Sequence, residues 1–202
     1  GADLVSGAGR TLALVRPHLA AHAQMRDLDG ALAQTPAWIA AALAGGRAVA
    51  VLATGDPLCH GIADYLIGKL GRVAVLPAPS TLQIAMARFG KSWQDVAVAS
   101  CHGSDAGEWI AGATPAHGLY ALMRAIALWR RVFAFTSPAN DPARLARALL
   151  TAGYGDEVRL SVACRLLLPD EAVFADLAVV DAASRRFPEP CVVLVERTDE
   201  HP

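Results

Sequence analysis

The chain has 202 residues, 54% of them hydrophobic and 18% charged, with a formal net charge of -1. That length suits one large domain or two small ones, and that composition fills a sizeable core. The near-zero charge removes the electrostatic case for nucleic acid or an anionic membrane surface, and no apolar stretch approaches the roughly 18 residues of a membrane-spanning helix.

The opening "GADLVSGAGRTLALV" has no basic region ahead of its apolar one, so no signal peptide is expected and a cytoplasmic location is. Ala2 to Val5 reads as the end of an element, which implies a chain that begins inside a domain. The glycines here follow no visible strand and do not support a dinucleotide fingerprint. "QTPAWIAAALAGG" reads as a helix, with Thr35 as cap, Pro36 at the first helical position and Gly45-Gly46 as stop. Residues 48–53 form a buried strand that breaks into "TGDPLCHG". Ile62, Leu66, Ile67 and Leu70 follow at helical spacing, and Gly71 ends that helix.

"RVAVLP" is predicted as the next strand. A turn at Pro79 leads into a helix entered at Ser80 or Thr81 and closed at Gly90, and "DVAVASCHG" is a further strand. This alternation argues for a parallel sheet with helical crossovers. Glycine and small residues then dominate up to residue 118. The expected organisation is an N-terminal α/β domain over 1–103, a linker over 104–118 and a C-terminal α/β domain over 119–202.

In the second half "LYALMRAIALWRR" is helical and "VFAFTS" is a strand. "PANDPARLARALLTAGYG" is a helix capped by Asp141, with Pro142 first and Gly153 as stop. In "EVRLSVACRL" Arg159 and Ser161 alternate with Leu160 and Val162, so this strand is antiparallel or near an edge. "FADLAVVDAAS" reads as a short helix or turn, and "PCVVLVERT" is the last strand.

Four loops leave the C-terminal ends of predicted strands, at 54–61, 77–81, 101–104 and 136–141. Ligands bind at that edge of open parallel sheets, and these loops carry Gly, Pro, Ser, Thr, Asp and His. A P-loop and a nucleophile elbow are both missing. Cys59, Cys101, Cys164 and Cys191 are widely spaced, without a Cys-x-x-Cys pair, and read as reduced thiols used as small apolar residues. Cys59-His60 and Cys101-His102 would make a zinc site only by converging, and adjacent ligands chelate poorly, so no metal is expected. Cys59 and Cys101 also lack a recognisable base-and-orienter arrangement for a cysteine hydrolase. His102 handles protons near neutral pH, or is simply a hydrogen-bonded loop histidine. Trp38 and Trp129 are expected in the core, and Trp109 either covers a flat ligand or packs.

"LATGDPLCHGIADYL", "VLPAPSTLQIAMARFGKSWQDVAVASCHG", "ARALLTAGYGDEVRLSVACRLLLPDE" and "FPEPCVVLVER" carry a resemblance over nearly the whole chain. It resembles the tetrapyrrole (corrin/porphyrin) methylases, and within them the precorrin-6Y group, at the domain that methylates carbon 5. "PAPSTLQIAMARFGKSWQD" followed by Cys-His-Gly is the specific part; Gly-Asp-Pro-x-x-x-Gly marks only the wider fold. The resemblance implies two α/β domains with a cofactor cleft between them. It implies S-adenosyl-L-methionine as methyl donor, S-adenosyl-L-homocysteine as product and a precorrin-type macrocycle of cobalamin biosynthesis as acceptor.

The resemblance assigns Gly55, Asp56 and Pro57 to the cofactor loop, with Ser80 and Thr81 facing the cofactor. Cys164, Arg165 and Leu166 line the adenosine pocket, Pro190 and Cys191 lie near the adenine, and His102 faces the macrocycle. Asp56 orders its loop rather than acting as a base. A homodimer is implied, and a separate partner for carbon-15 methylation and decarboxylation is possible. Three departures stand out. The family's first strand and glycine-rich loop precede the segment that matches "ADLVSGAGRTLALV", Ser104 stands where a basic residue is usual, and no carbon-15 domain is expected after "ERTDEHP". The alternatives are a methylase of another tetrapyrrole and a non-catalytic module that binds cofactor or corrinoid.

Overall fold

The computed structural model describes residues 1–101 and 107–198. The chain divides into two compact units, Gly1–Ser80 and Thr81–Pro202. The sequence suggests a boundary at 104–118 instead. Strand pairing explains the difference: the strand before that stretch pairs with the first strand after it, so both belong to one sheet.

The first unit holds a three-stranded sheet of β1 (Leu4–Gly7), β2 (Gln24–Asp27) and β3 (Val49–Val51), in the order β2-β1-β3 and parallel throughout. Helices α1 (Gly9–Val15), α2 (Thr35–Ala44) and α3 (Ile62–Leu70) complete it. Leu4, Val5, Leu12, Ile39, Ala42, Ala63 and Leu66 are its buried apolar residues. The stretch read as the end of an element contains the central strand β1, buried at every position, so the glycine of Ala8-Gly9 does follow a strand. Strand β2, "QMRD", is exposed at every position and has no alternation to read.

Two further expectations are corrected. Thr35 is the first residue of α2 rather than its cap, and its Oγ1 donates to Ala31 O at 3.1 Å. "RVAVLP" is not a strand: it pairs with no described strand, and most of it is exposed, Leu76 at 85%. An apolar run becomes a strand only when a neighbour satisfies its backbone groups.

The second unit opens with α4 (Thr81–Phe89) and builds a five-stranded sheet. Its strands are β4 (Ala97–Ser100), β5 (Arg131–Phe135), β6 (Val158–Cys164), β7 (Ala172–Ala178) and β8 (Cys191–Arg197), in the order β4-β5-β8-β6-β7. Only β4 and β5 are parallel; the other pairs are antiparallel, as the alternation in β6 suggested, although β6 is internal and not an edge. "FADLAVVDAAS" contributes the end of strand β7 and then α7 (Val179–Ser184).

The period of two in β8 sorts its side chains. Cys191, Val193 and Val195 join a cluster with Leu122 and Ile126 of α5 (Tyr120–Leu128), Leu145 and Leu149 of α6 (Pro142–Thr151), and Val179. Val192 and Leu194 turn to the other face, against Leu82, Ala85 and Met86 of α4. Asp141 caps α6 as expected, accepting from Arg144 N at 2.7 Å. Trp109 packs against the first cluster and meets His117 edge-on at 5.1 Å. Trp38 is half-buried beneath Arg26. Trp129, expected in the core, is 57% exposed where α5 ends. No described helix is long and apolar enough to cross a membrane.

Candidate functional site

In the first unit the three parallel strands deliver their C-terminal ends to one edge, where Ala8-Gly9, residues 28–30 and the loop 52–61 follow. The Gly-Asp-Pro loop is held by its own backbone. Asp56 Oδ1 accepts from Leu58 N at 2.8 Å, and Asp56 O accepts from Cys59 N at 3.1 Å, an Asx-type turn. The Asp56 carboxylate is therefore engaged in ordering the turn. Pro57 O accepts from Ala63 N at 3.1 Å and ties the loop to the first turn of α3.

Two glycines are dictated by geometry. Gly55 has φ +73°, in the left-handed region that favours glycine. Gly61 has no room for a side chain, since a Cβ would stand 2.4 Å from Pro57 O. Arg10 Nη2 reaches Thr54 Oγ1 at 3.5 Å from the neighbouring turn. Ser80 is buried at 6% exposure and is hydrogen-bonded with the Cys59 side chain. Burial first and the Asp56 charge second push the Cys59 thiol up, against that hydrogen bond, so Cys59 is a poor nucleophile. Gly55, Asp56, Pro57 and Ser80 thus come together. Thr81 begins α4, in the other unit.

In the second unit one edge of the sheet gathers ends from four strands. The register aligns Ser100 with Phe135, Phe135 with Val192, and Cys164 with Cys191. That edge therefore holds Cys101, Thr136, Ser137, the 164–166 segment and the 189–191 segment. Thr136 Oγ1 donates to Cys191 O at 2.6 Å. Cys101 O accepts from Ser137 Oγ at 3.2 Å and from Asn140 Nδ2 at 3.0 Å. The Cys101 thiol faces Phe135 O at 3.3 Å, and burial pushes it up to about 12. His102 lies outside the described residues, but the residue before it is fastened by these bonds.

Cys164, Arg165, Pro190 and Cys191 come together, while Leu166 packs against the cluster that holds Leu82 and Met86. Arg165 N donates to Pro190 O at 2.8 Å, and Arg165 Nη1 donates to Glu189 O at 3.1 Å. Arg165 has φ +52° and pairs with Asp170 at 2.6 Å. The Glu189–Pro190 peptide bond is cis. Cys191 is pushed up by the adjoining Cys164 sulfur first and by burial second. Among the described residues no group of three or more His, Cys, Asp or Glu could hold a metal ion.

Glu189 is the group that the sequence reading missed. Its Oε2 accepts from Cys191 N at 3.1 Å, while its Oε1 is buried with no hydrogen-bond partner among the described residues. Burial first, helped by the Asp141 charge, raises its carboxyl above the ordinary range, and the Cys191 hydrogen bonds oppose this. Nothing in "FPEPC" announces the burial or the Asp141 charge, although the bond from Cys191 N is local.

A model of the Tetrapyrrole (Corrin/Porphyrin) Methylases matches residues 1–180. The chain belongs to the tetrapyrrole methylases. Among relatives of this tetrapyrrole methylase is a precorrin-6Y C(5,15)-methyltransferase [decarboxylating] of Sinorhizobium sp, 31% identical over 119 residues, which are 58% of this chain and 25% of the relative. A cobalt-precorrin-7 C(5)-methyltransferase of Salmonella typhimurium is 30% identical over 120 residues, 58% of this chain and 51% of that protein. The chain thus spans a quarter of the first relative and about half of the second.

Similar solved structures include the methyltransferase CobJ, with TM-score 0.73 at 20% identity over 98% of this chain and 84% of that one. The cobalt precorrin-4 methyltransferase CbiF gives 0.69 at 18% identity over 96% and 84%. The precorrin-6Y methylase CbiE of Archaeoglobus fulgidus gives 0.63 at 20% identity over 98% and 86%. These likenesses establish the tetrapyrrole methylase fold.

Proposed function

We propose that this tetrapyrrole methylase transfers the methyl group of S-adenosyl-L-methionine to carbon 5 of a precorrin-type macrocycle, a step of cobalamin biosynthesis. The observation that carries the reading is the family match over residues 1–180, with two relatives named for methyl transfer at carbon 5. Bound S-adenosyl-L-methionine would supply an already activated sulfonium methyl, so the protein needs to align and desolvate rather than to build an electrophile.

The residues present suit such a ligand. Glu189 Oε1 is a buried acceptor without a partner among the described residues, fitted to an N–H or O–H donor of an adenosyl group. Gly55, Asp56 and Pro57 present a turn whose hydrogen bonds are internal, and Ser80 and Thr81 follow with hydroxyls. We assign the cofactor contacts to these five residues and to Cys164, Arg165, Leu166, Pro190 and Cys191. His102, after the anchored Cys101, orients the macrocycle or takes up the proton that the ring releases. The protein works as a homodimer in the cytoplasm.

The test incubates the protein with S-adenosyl-L-methionine and a corrinoid intermediate and reads the product by mass spectrometry. One added methyl without loss of carbon dioxide is expected. Cofactor binding with no methylated product from any precorrin would leave a binding module and overturn the reading.

A further inference from the structure

Cys164 and Cys191 stand directly opposite each other in the ladder between β6 and β8. The bond from Arg165 N to Pro190 O, at 2.8 Å, joins the residue after Cys164 to the residue before Cys191. That pattern puts the cysteines at a non-hydrogen-bonded position of an antiparallel pair. There the Cα atoms approach to about 4.5 Å and the side chains lie closest. A disulfide accepts Cα separations of about 4.4–6.8 Å, so the position admits the bond without moving either strand. The two sulfurs already face each other at 2.9 Å, in one core cluster, with both residues buried. The other thiols are committed elsewhere: Cys101 faces Phe135 O, and Cys59 is hydrogen-bonded with Ser80 in the other unit.

We propose that Cys164 and Cys191 form a reversible disulfide that staples the ends of β6 and β8. The oxidant is a disulfide of the glutathione class. One protein sulfur attacks it as thiolate, an oxidant S–S bond breaks, and one glutathione thiol leaves. The second protein sulfur then attacks the mixed disulfide and releases a second glutathione thiol. One S–S bond forms as one breaks. The protein thiols give up two electrons and two protons, which the two glutathione thiols carry away. Because burial and the neighbouring sulfur disfavour the Cys191 thiolate, exchange is slow at neutral pH and faster in mild alkali. The bond would fix the corner that carries Arg165 and Glu189.

The experiment equilibrates the chain in glutathione buffers of graded poise at alkaline pH. After acid quench, alkylation and digestion, the peptides are read by mass spectrometry without reduction. A second arm unfolds the chain and refolds it in the same buffers, which removes burial as an obstacle. The expected result in both arms is a cross-linked pair of peptides containing Cys164 and Cys191, two hydrogens lighter than the free thiols. Its amount rises with oxidised glutathione and returns to zero with dithiothreitol. The oxidised protein should melt higher by roughly 5–10 °C, because the bond closes a loop of about 30 residues. Cys101→Ala should leave both changes intact, and Cys191→Ser should remove them. Free thiols at both positions in the refolded arm, or Cys164 joined to Cys59 or Cys101 as often as to Cys191, would overturn the proposal. A bond acquired on refolding but never exchanged in the folded chain would overturn its reversibility.

Discussion

The two sheet edges hold their polar groups by different means. In the first unit the loop after β3 is a local construction: Asp56, Pro57 and Gly61 bond or clear one another within a few residues, over a small sheet whose strand β2 is exposed throughout. In the second unit the edge is assembled by register. Cys101, Thr136, Cys164 and Cys191 come from four strands and meet because β5, β6 and β8 are buried and aligned. The Gly-Asp-Pro loop of the first edge therefore depends on local backbone turns. The second depends on a packed core.

The sharpest break in that contrast comes from core truncation. Phe133 is fully buried in β5, and Phe133→Ala should destabilise the second unit by about 3–5 kcal/mol in urea unfolding. Leu76→Ala, at 85% exposure in the first unit, should stay within about 0.5 kcal/mol. Comparable costs at the two sites would end the comparison.

Next in size is His102→Ala. Single-turnover methyl transfer should fall by about 10²-fold, with affinity for S-adenosyl-L-homocysteine unchanged. Normal transfer with a lowered melting midpoint would remove His102 from the reaction.

The glycines of the first edge give a smaller, two-sided effect. Gly61→Ala should cost about 1–3 kcal/mol and weaken S-adenosyl-L-homocysteine binding, because the Pro57 backbone must move. Gly68→Ala, inside α3 with nothing within 4 Å, should gain up to about 1 kcal/mol. Equal responses would mean that the loop is not held as described.

The smallest effect is a pH dependence at Glu189. Its folded pKa lies above the ordinary value of 4.5, so the folded protein binds the proton more tightly than the unfolded chain. The stabilisation from protonation is complete below 4.5 and is lost as pH rises through the raised folded value. The stability of wild type relative to Glu189→Gln should therefore decline across that window and then level off. A flat difference in melting midpoint would contradict a buried, raised carboxyl.

The same contrast explains what was legible in the sequence. Gly-Asp-Pro-x-x-x-Gly, the α6 cap at Asp141 and the apolar run of β8 are local signals, and each produced the element expected of it. "QMRD" and "RVAVLP" failed in opposite directions. The first becomes a strand because β1 pairs with it despite its polar composition, and the second pairs with no described strand despite its apolar one. Glu189 was invisible for the reason that makes it interesting: its burial and the nearby Asp141 charge come through packing, and only its bond from Cys191 N is local.

The proposed donor contacts, the 54–57 loop of the first unit and the 164–166 and 189–191 segments of the second, most need a test. Hydrogen exchange with and without S-adenosyl-L-homocysteine tests them directly. The predicted result is slower exchange on ligand binding in the 54–61 loop and, in the same experiment, in the 164–166 and 189–191 segments. Protection confined to one of the two edges, or falling elsewhere, would contradict them.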